Sequence, residues 1–350
     1  MDAPTEAVAA LPYAHGGPTI TGRIRVEAGD FRVDEELGFE PSGAGEHAFL
    51  FVEKIDANTE WVAKRLAEKA GVAPMAIGYA GLKDRHAVTR QSFSVHLPGK
   101  PDPDWSAIAI PGVRVLAASR HDKKLKRGVH RGNRFRIRVR DVDGNRQAVE
   151  QRLALIRERG VPNYFGEQRF GRDAGNIAQA RAYFAGTRMR KHEIGLALSA
   201  ARSLLFNAVL ATRVADGSWD SALDGDVWML AGTHSIFGPE PWTVELARRL
   251  AAFDIDPTGP LPGAGELRTT GLVRALEEGA LAPYRDLAEG LARAGLAQQR
   301  RSLRLRVDGL VHEWEGDGAL VVEFRLPAGA FATVVLRELS GEAHGSAPGR

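Results

Sequence analysis

The stretch of chain that decides the fold is residues 134–140, with the sequence RFRIRVR. Phe135, Ile137 and Val139 alternate strictly with four arginines. Because an extended chain places successive side chains on opposite faces, this pattern predicts a strand with one apolar face and one basic face.

Strand patterns dominate the chain before this stretch. Four segments read as strands or short extended pieces: residues 20–31, 46–54, 77–81 and 91–95. Between the second and third of these, Asn58 or Thr59 can cap a helix whose apolar face includes Val62 and Leu66. That helix is expected to end at Gly71, because helices commonly end at a residue with a left-handed backbone and glycine adopts that conformation easily.

Helical patterns dominate the middle of the chain, and strand patterns return near its end. Residues 147–159 and 177–210 read as helices, and a further helical run follows the Pro- and Gly-rich segment 257–263 and reaches Gln299. Residues 303–307, 310–314 and 319–326 then read as strands. This order suggests a central insertion between two parts of one sheet domain, although two consecutive domains fit it almost as well.

Composition limits the classes of protein and site to consider. A 350-residue chain with 44% hydrophobic residues is expected to be globular. The absence of cysteine excludes disulfides, thiolate metal sites and cysteine nucleophiles, and no histidine pair has helical metal-site spacing. Residues 1–17 contain no apolar stretch long enough for a signal peptide or a membrane span, which predicts a cytoplasmic protein.

Positive charge is concentrated in one segment. Residues 120–140 contain ten lysines or arginines and one acid, Asp122, although the formal charge of the whole chain is only +3. Such a cluster releases counterions when it binds a polyanion, which favours contact with nucleic-acid phosphates over a merely solvated face.

A carboxylate flanked by cations is the first candidate for chemistry. Residues 81–86, GLKDRH, place Asp84 on a glycine-led turn between strand patterns. An ionised aspartate on a rigid turn can act as a nucleophile toward carbon. Taken alone, this weak pattern favours an exposed salt bridge.

The second candidate is the segment from Lys126 to Phe135. It combines cations and glycines with Asn133 and the Phe135 ring, which suits RNA with an unstacked base. Taken alone, Phe135 is better explained as a core residue facing inward with Ile137 and Val139. Two other mixtures of aromatic, glycine and polar residues, 161–171 and 324–333, favour a structural role as turns.

Together these segments closely resemble the tRNA pseudouridine synthase D (TruD) family. The resemblance spans most of the chain, and its most specific parts are the Lys83-Asp84-Arg85 turn and residues 163–171, NYFGEQRFG. Other matches are residues 30–35, Lys54 with residues 58–59, 78–87, 132–135, 257–260, 326–327 and 331–333.

The resemblance implies an activity, a fold and site residues. The implied reaction converts uridine to pseudouridine at position 13 of tRNA, in the D arm, without metal or cofactor. Asp84 matches the catalytic aspartate, and Phe31, Asn133 and Phe331 match substrate-binding positions. The implied α/β fold is a pseudouridine synthase catalytic domain, with a mixed and largely antiparallel sheet, interrupted by an inserted TRUD domain. We therefore predict a catalytic domain in residues 1–158 and 303–340, the insertion in 159–302 and a disordered tail in 341–350.

This chemistry gives roles to further residues. The target base must leave the RNA helix, and Phe31 or Phe135 could stack on it while Asn133 bonds its edge. Lys83 and Arg85 are candidate electrostatic partners of Asp84 or of phosphate. Contacts with the RNA backbone are predicted for Lys123, Lys124, Lys126, Arg127 and Arg131. Asp84 could attack C1′, deprotonate C2′ or add to uracil.

Two rival functions stay open at this point. A non-catalytic RNA-binding or RNA-folding protein would keep the basic segment without using Asp84. A hydrolase using Asp84 with His86 would need a metal or a second carboxylate, for which the sequence supplies no clear constellation. A monomer without a membrane association is expected, with tRNA as the partner.

Overall fold

A computed structural model describes residues 11–316 and 318–341 of the chain. They form two compact units. The sheet unit comprises residues 19–146, 307–329 and 340–341, and the helical unit comprises 11–18, 147–306 and 330–339. The sequence-based domain boundaries stay a prediction. Gly341 lies in a short strand, and the rest of the predicted tail, 342–350, lies outside the described residues.

The elements of the described chain follow in chain order. The strands are β1 (Ile20–Arg23), β2 (Phe31–Glu36), β3 (His47–Ile55), β4 (Ile77–Tyr79), β5 (Val88–His96), β6 (Val113–His121), β7 (Gly132–Gly144), β8 (Val161–Pro162), β9 (Trp228–Leu230), β10 (Ile236–Phe237), β11 (Ile255–Leu261), β12 (Gln299–Ser302), β13 (Arg304–Leu305), β14 (Asp308–Glu315), β15 (Ala319–Pro327) and β16 (Ser340–Gly341). The α-helices are α1 (Thr59–Ala70), α2 (Arg146–Arg159), α3 (Gly175–Phe184), α4 (Lys191–Ala215), α5 (Val244–Ala251), α6 (Gly271–Leu281), α7 (Arg285–Arg293) and α8 (Ala332–Leu339).

A mixed sheet organises the sheet unit. Among the described residues it has ten strands, with the main order β14-β15-β7-β2-β5-β3-β6. Strands β2 and β5 pair in parallel, as do β1 and β16, and the other pairs are antiparallel. The predicted α/β fold with a mixed, largely antiparallel sheet is confirmed.

Helix α1 covers one part of this sheet. Val62 and Leu66, one helical turn apart, pack into a buried cluster with Leu50 and Phe93 of β3 and β5. Burying each such side chain contributes about 1.5–3 kcal/mol. The helix has Asn58 at its N-cap and Gly71, with φ +61°, at its C-cap, so the prediction of both ends is confirmed.

The prediction of one continuous strand over residues 20–31 is wrong. Strand β1 stops at Arg23, Arg25 has a left-handed backbone with φ +58°, and residues 28–30 form a 3-10 turn before β2. The Asp30 carboxylate accepts a hydrogen bond from the Glu27 backbone N–H at 2.8 Å, which stabilises that turn.

The helical unit contains a small sheet and most of the helices. Its strands form a four-stranded sheet of order β10-β9-β11-β12 and the pair β13-β8, within the described residues. Helix α4 is long and apolar enough to cross a membrane, but 56% of its apolar window is buried inside the protein. A core helix passes the same test of length and composition, and α4 contributes Leu205 and Phe206 to the core.

Candidate active site

Asp84 lies on the loop between β4 and β5, as the sequence predicts. Its side chain is 38% exposed, and the Arg25 guanidinium approaches it with Nη2 3.3 Å from Oδ2. Arg25 also lies over the Phe31 ring, 4.2 Å from its centroid. One arginine therefore holds the partly exposed carboxylate beside a ring at the start of β2.

A buried lysine, Lys54, fixes the backbone of Asp84. Lys54, near the end of β3, is fully buried, and its Nζ donates to the backbone oxygens of Ala57 at 2.7 Å and Asp84 at 2.9 Å. Burial lowers the pKa of Lys54 to about 8, while the Asp84 charge raises it and the Lys83 charge lowers it further. The position of the Asp84 backbone is thus fixed by a cation from a neighbouring strand.

Lys83 points into the protein. Its Nζ lies 2.7 Å from Oε2 of Glu35 in an ion pair whose side chains are 4% and 0% exposed. The Lys83 backbone N–H donates to Oγ1 of Thr59. The Glu35 carboxylate also accepts from the Ser92 backbone N–H at 3.0 Å. Lys83 therefore anchors the turn, and its predicted contact with substrate or phosphate stays a prediction.

His130 lies beside this ion pair. Burial lowers its pKa most, the Lys83 charge lowers it further, and the Glu35 charge raises it. Its ring carbon would be 3.4 Å from a β-carbon placed on Gly81. The neutral imidazole therefore fills the space behind the glycine that begins the Asp84 turn.

The two residues after Asp84 are more exposed. Arg85 is exposed, and His86 places Nδ1 3.6 Å from Oδ1 of Asp56, with both side chains 58% exposed. His86 thus pairs with Asp56 rather than with Asp84. No group of three or more His, Asp or Glu suited to a metal ion occurs in the described part of the chain. The hydrolase hypothesis receives no support from this arrangement.

The two aromatic residues of the sheet unit that were predicted to contact the base are buried. Phe31 and Phe135 are 1% and 5% exposed, and their rings meet edge to face with centroids 6.3 Å apart. Phe135 also stacks on Phe324 at 5.4 Å. This geometry favours the core explanation of Phe135, whose stacking on a base stays a prediction.

Asn133 has an unused acceptor. It lies at the start of β7, only 8% exposed, and its Oδ1 has no hydrogen-bond partner among the described residues. A buried amide oxygen without a partner is costly, and a bound donor would remove that cost. The unpaired Oδ1 of Asn133 could accept a hydrogen bond from substrate, and its contact with substrate stays a prediction.

The five predicted RNA-backbone cations lie on the segment before β7 and are all exposed: Lys123, Lys124, Lys126, Arg127 and Arg131. A cavity of about 340 Å³ is lined by residues 77–79 and 124–127. Arg127 lies over the Tyr79 ring and donates to its hydroxyl at 3.0 Å. The Gly128 N–H donates to the Ala80 oxygen at 2.7 Å, which ties the basic segment to the strand leading toward Asp84.

The arginines of β7 are paired more closely than these cations, of which Arg127 lies 3.5 Å from Glu60 and Lys123 lies 3.9 Å from Asp122. The basic face predicted for the strand is a row of ion pairs with carboxylates of neighbouring elements. The contacts are Arg134–Glu323 at 2.7 Å, Arg136–Glu323 at 2.9 Å, Arg138–Glu315 at 2.6 Å and Arg140–Asp30 at 2.8 Å. The charge available to a polyanion is therefore concentrated in the preceding loop, which corrects the expectation of a basic strand face.

Phe331 belongs to the helical unit, just before α8. Its ring meets that of Phe165 at 6.4 Å, and the Arg169 guanidinium lies 5.6 Å from its centroid. Its predicted contact with substrate stays a prediction.

Most of the chain matches a known family. The family model described as tRNA pseudouridine synthase D (TruD) matches residues 7–180 and 185–339. A tRNA pseudouridine synthase D from Xanthomonas axonopodis pv. citri is 52% identical over 346 residues, with 94% of each chain covered. The chain belongs to the TruD family. A TruD relative from Methylococcus capsulatus is 51% identical over 331 residues, again with 94% of each chain covered.

A solved structure supports the TruD fold. A crystal structure assigned to tRNA pseudouridine synthase D from Methanosarcina mazei has a TM-score of 0.73 with 22% identity, covering 97% of this chain and 98% of that one. At this identity the likeness concerns the fold alone.

Three residues that contact the TruD turn were not selected from the sequence as site residues. They are Arg25, Lys54 and Glu35. Arg25 lies in a segment interpreted only as strand, and Glu35 was named only as part of the family match over residues 30–35. Lys54 was also among the family matches, and it ends the apolar stretch HAFLFVEK. A lysine at the end of such a stretch could have indicated a buried cation.

Proposed function

We propose that this chain isomerises uridine 13 in the D arm of tRNA to pseudouridine, with Asp84 as the nucleophile. Membership of the TruD family supports the reaction and the tRNA substrate. The observation that carries the assignment to Asp84 is its carboxylate, which is partly exposed, paired with Arg25 at 3.3 Å and anchored through its backbone to Lys54.

The reaction breaks the N1–C1′ bond and forms a C5–C1′ bond. In the route we favour, Asp84 attacks C1′, uracil leaves with the N1–C1′ electron pair, and an ester to Asp84 results. The uracil turns, C5 attacks C1′, the carboxylate departs, and the proton on C5 is lost to solvent while N1 gains one. The reaction conserves substrate atoms and oxidation state, so no oxidant, reductant or cosubstrate enters the balance.

Arg25 and Lys54 position different parts of Asp84. The Arg25 guanidinium contacts Oδ2 of Asp84 and leaves Oδ1 available to attack carbon. The Lys54 ammonium fixes the position of the Asp84 backbone. Fixing a nucleophile within reach of its carbon removes a large part of the entropic barrier. The same ion pair stabilises the carboxylate when it departs from C1′.

The flipped nucleotide and the RNA backbone use different groups. The free Oδ1 of Asn133 accepts a hydrogen bond from the uracil N3–H, and Phe31 forms part of the wall of the base pocket. Lys124, Lys126 and Arg127, which are exposed around the 340 Å³ cavity, contact phosphates. Phe135 contributes through the packing of its ring against Phe31.

Replacement of Asp84 tests the proposal directly. Unmodified tRNA is incubated with wild-type protein, Asp84→Asn or Asp56→Asn, and pseudouridine is mapped at single-nucleotide resolution. Asp56 is a matched control because it is exposed and, at φ +52°, has a left-handed backbone that asparagine also tolerates. We expect modification at one D-arm uridine with wild type and Asp56→Asn, and none with Asp84→Asn.

Binding of tRNA separates the proposal from its rival. Asp84→Asn should bind tRNA within a few-fold of wild type, because the amide keeps the shape of the carboxylate. Tight binding without pseudouridine in wild type would favour a non-catalytic RNA-binding protein, and cleaved RNA would favour a hydrolase. We also propose that the protein is cytoplasmic and monomeric, which cell fractionation and sedimentation of the purified protein test.

Isotopic substitution tests the route. With deuterium at C2′ of the target uridine, direct attack at C1′ predicts an almost unchanged single-turnover rate. Removal of the C2′ proton to form a glycal predicts a clear slowing, which would contradict the nucleophilic route while leaving Asp84 as the base.

A further inference from the structure

Two arginines of the helical unit meet on one aromatic ring. Arg169 and Arg301 both lie over Phe165, with guanidinium carbons 5.4 and 4.3 Å from its centroid. Arg169 also lies 5.6 Å from the centroid of Phe331. Two positive groups and two rings therefore share one small region, formed by residues 163–171, β12 and the residue just before α8.

Arg169 is poorly compensated. Its Nη1 donates to Oγ of Ser199 at 3.1 Å, but no carboxylate forms an ion pair with it among the described residues. Its Nε–H has no acceptor among the same residues. Burial of a guanidinium donor without an acceptor costs free energy, which a bound anion would recover.

Two fully buried arginines of the same unit, Arg213 and Arg300, are each paired with a carboxylate. Arg213 contacts Asp226 at 3.0 Å, and Arg300 contacts Glu277 at 2.5 Å, with all four side chains at most 2% exposed. Each of these two fully buried guanidinium groups therefore has a carboxylate beside it. Arg169 has no such partner among the described residues.

The second guanidinium increases the positive potential at this place. Burial lowers the pKa of Arg301 to about 10, and the nearby charge of Arg169 lowers it further. Burial also lowers the pKa of Arg169. Like charges brought together in a half-buried region repel, and an anion placed against both relieves the repulsion.

We propose that Arg169 and Arg301 form a binding site for a phosphodiester of the RNA substrate. A guanidinium fork matches two phosphate oxygens, and the Phe165 and Phe331 rings exclude water around the pair, which strengthens the contact. That the phosphodiester comes from tRNA rests on the proposed function; the anion site itself does not.

Salt dependence of tRNA binding tests the site. The equilibrium constant is measured at several salt concentrations for wild type, Arg169→Gln, Arg169→Lys and the control Arg190→Gln. Arg190 is an exposed arginine of the same unit that pairs with Glu193. Loss of one phosphate contact should make the slope of log K against log salt shallower by about one.

The expected pattern is specific. Arg169→Gln should lose about tenfold in affinity and show the shallower slope, Arg169→Lys should keep the slope because its charge remains, and Arg190→Gln should match wild type. An unchanged slope in a folded Arg169→Gln protein, as judged by its thermal melt, would overturn the proposal. A loss equal in the Gln and Lys variants would also overturn it, since that would indicate a purely structural role.

Two further measurements separate the alternatives. Titration with inorganic phosphate, followed by the guanidinium NMR signals of Arg169 and Arg301, detects a site for the free anion. If phosphate binds with a millimolar or tighter dissociation constant while the salt slope of tRNA binding is unchanged in Arg169→Gln, the site binds free phosphate and not RNA. The slope is measured in the Asp84→Asn background as well. If Arg169→Gln changes the salt slope of tRNA binding in that background while wild type forms no pseudouridine, the proposed function is contradicted but the phosphodiester site is supported.

Discussion

Lys54→Met removes the cation that holds the Asp84 backbone. The substitution deletes two hydrogen bonds from a charged donor, each worth about 1.5–3 kcal/mol. It also removes a buried charge. The pKa of Lys54 falls from 10.5 to about 8 on folding, so burying the charge costs about 3 kcal/mol, and the methionine protein does not bear that cost. Because the two effects oppose each other, we expect the free energy of unfolding to fall by no more than about 3 kcal/mol.

Activity should suffer more than stability. A nucleophile displaced by about 1 Å can lose roughly 100-fold in rate, so we expect a loss of that order in single-turnover pseudouridine formation at saturating tRNA. Affinity for tRNA should change little, since Lys54 is fully buried. The control is Lys64→Met, the same chemical change at an exposed position of α1.

The pH dependence of stability gives a second readout of the same residue. The folded pKa of Lys54, about 8, lies below the unfolded value of 10.5, because burial disfavours the charge. Between these values the unfolded chain binds a proton that the folded chain has released. The free energy of unfolding therefore gains from this group as pH rises through the window, and Lys54→Met should lack that gain.

Urea unfolding at several pH values and single-turnover kinetics check both parts. A Lys54→Met protein with the wild-type rate would refute the positioning role of Lys54. Identical pH profiles of stability in the two proteins would refute the buried ammonium.

Three further changes have expected outcomes. Gly78→Ala places a β-carbon 2.4 Å from the Leu125 backbone oxygen, so thermal unfolding should show a loss of about 1–3 kcal/mol; an unchanged melt would contradict that contact. Glu35→Gln leaves the buried Lys83 ammonium without a charge partner and should cost about 3–5 kcal/mol in urea unfolding, and a neutral result would mean that the lysine relocates. Arg127→Gln should make the salt slope of tRNA binding shallower by about one, whereas an unaltered slope would remove this residue from the RNA surface.

Local signals in the sequence predicted much of the fold. The alternation in residues 134–140 identified β7, and the cap residue Asn58 and Gly71 identified both ends of α1. The position of Asp84 between two strands followed from short apolar runs on either side. Each of these features depends on neighbours within a few residues along the chain.

Features that depend on distant residues were missed. Strand β11 contains Pro257 and Pro260, which normally argue against a strand, yet it pairs with β9 and β12 on its two sides. The contact of Arg25 with Asp84 joins residues far apart in sequence, and it needs a left-handed backbone that no local pattern indicates. The ion pairs that neutralise the β7 arginines depend on strand register, for example Glu323 opposite Arg136.

The assembly of the helical unit from three stretches of chain has a consequence for synthesis on the ribosome. Buried Glu338 accepts hydrogen bonds from the backbone N–H groups of Ala14 and His15, both at 3.2 Å, and Arg337 donates to the Pro12 oxygen. Residues 147–306 are translated before residues 332–339. The part of their apolar surface that α8 covers therefore stays exposed until α8 has been made, and a nascent chain stalled before residue 332 is a natural client for chaperones.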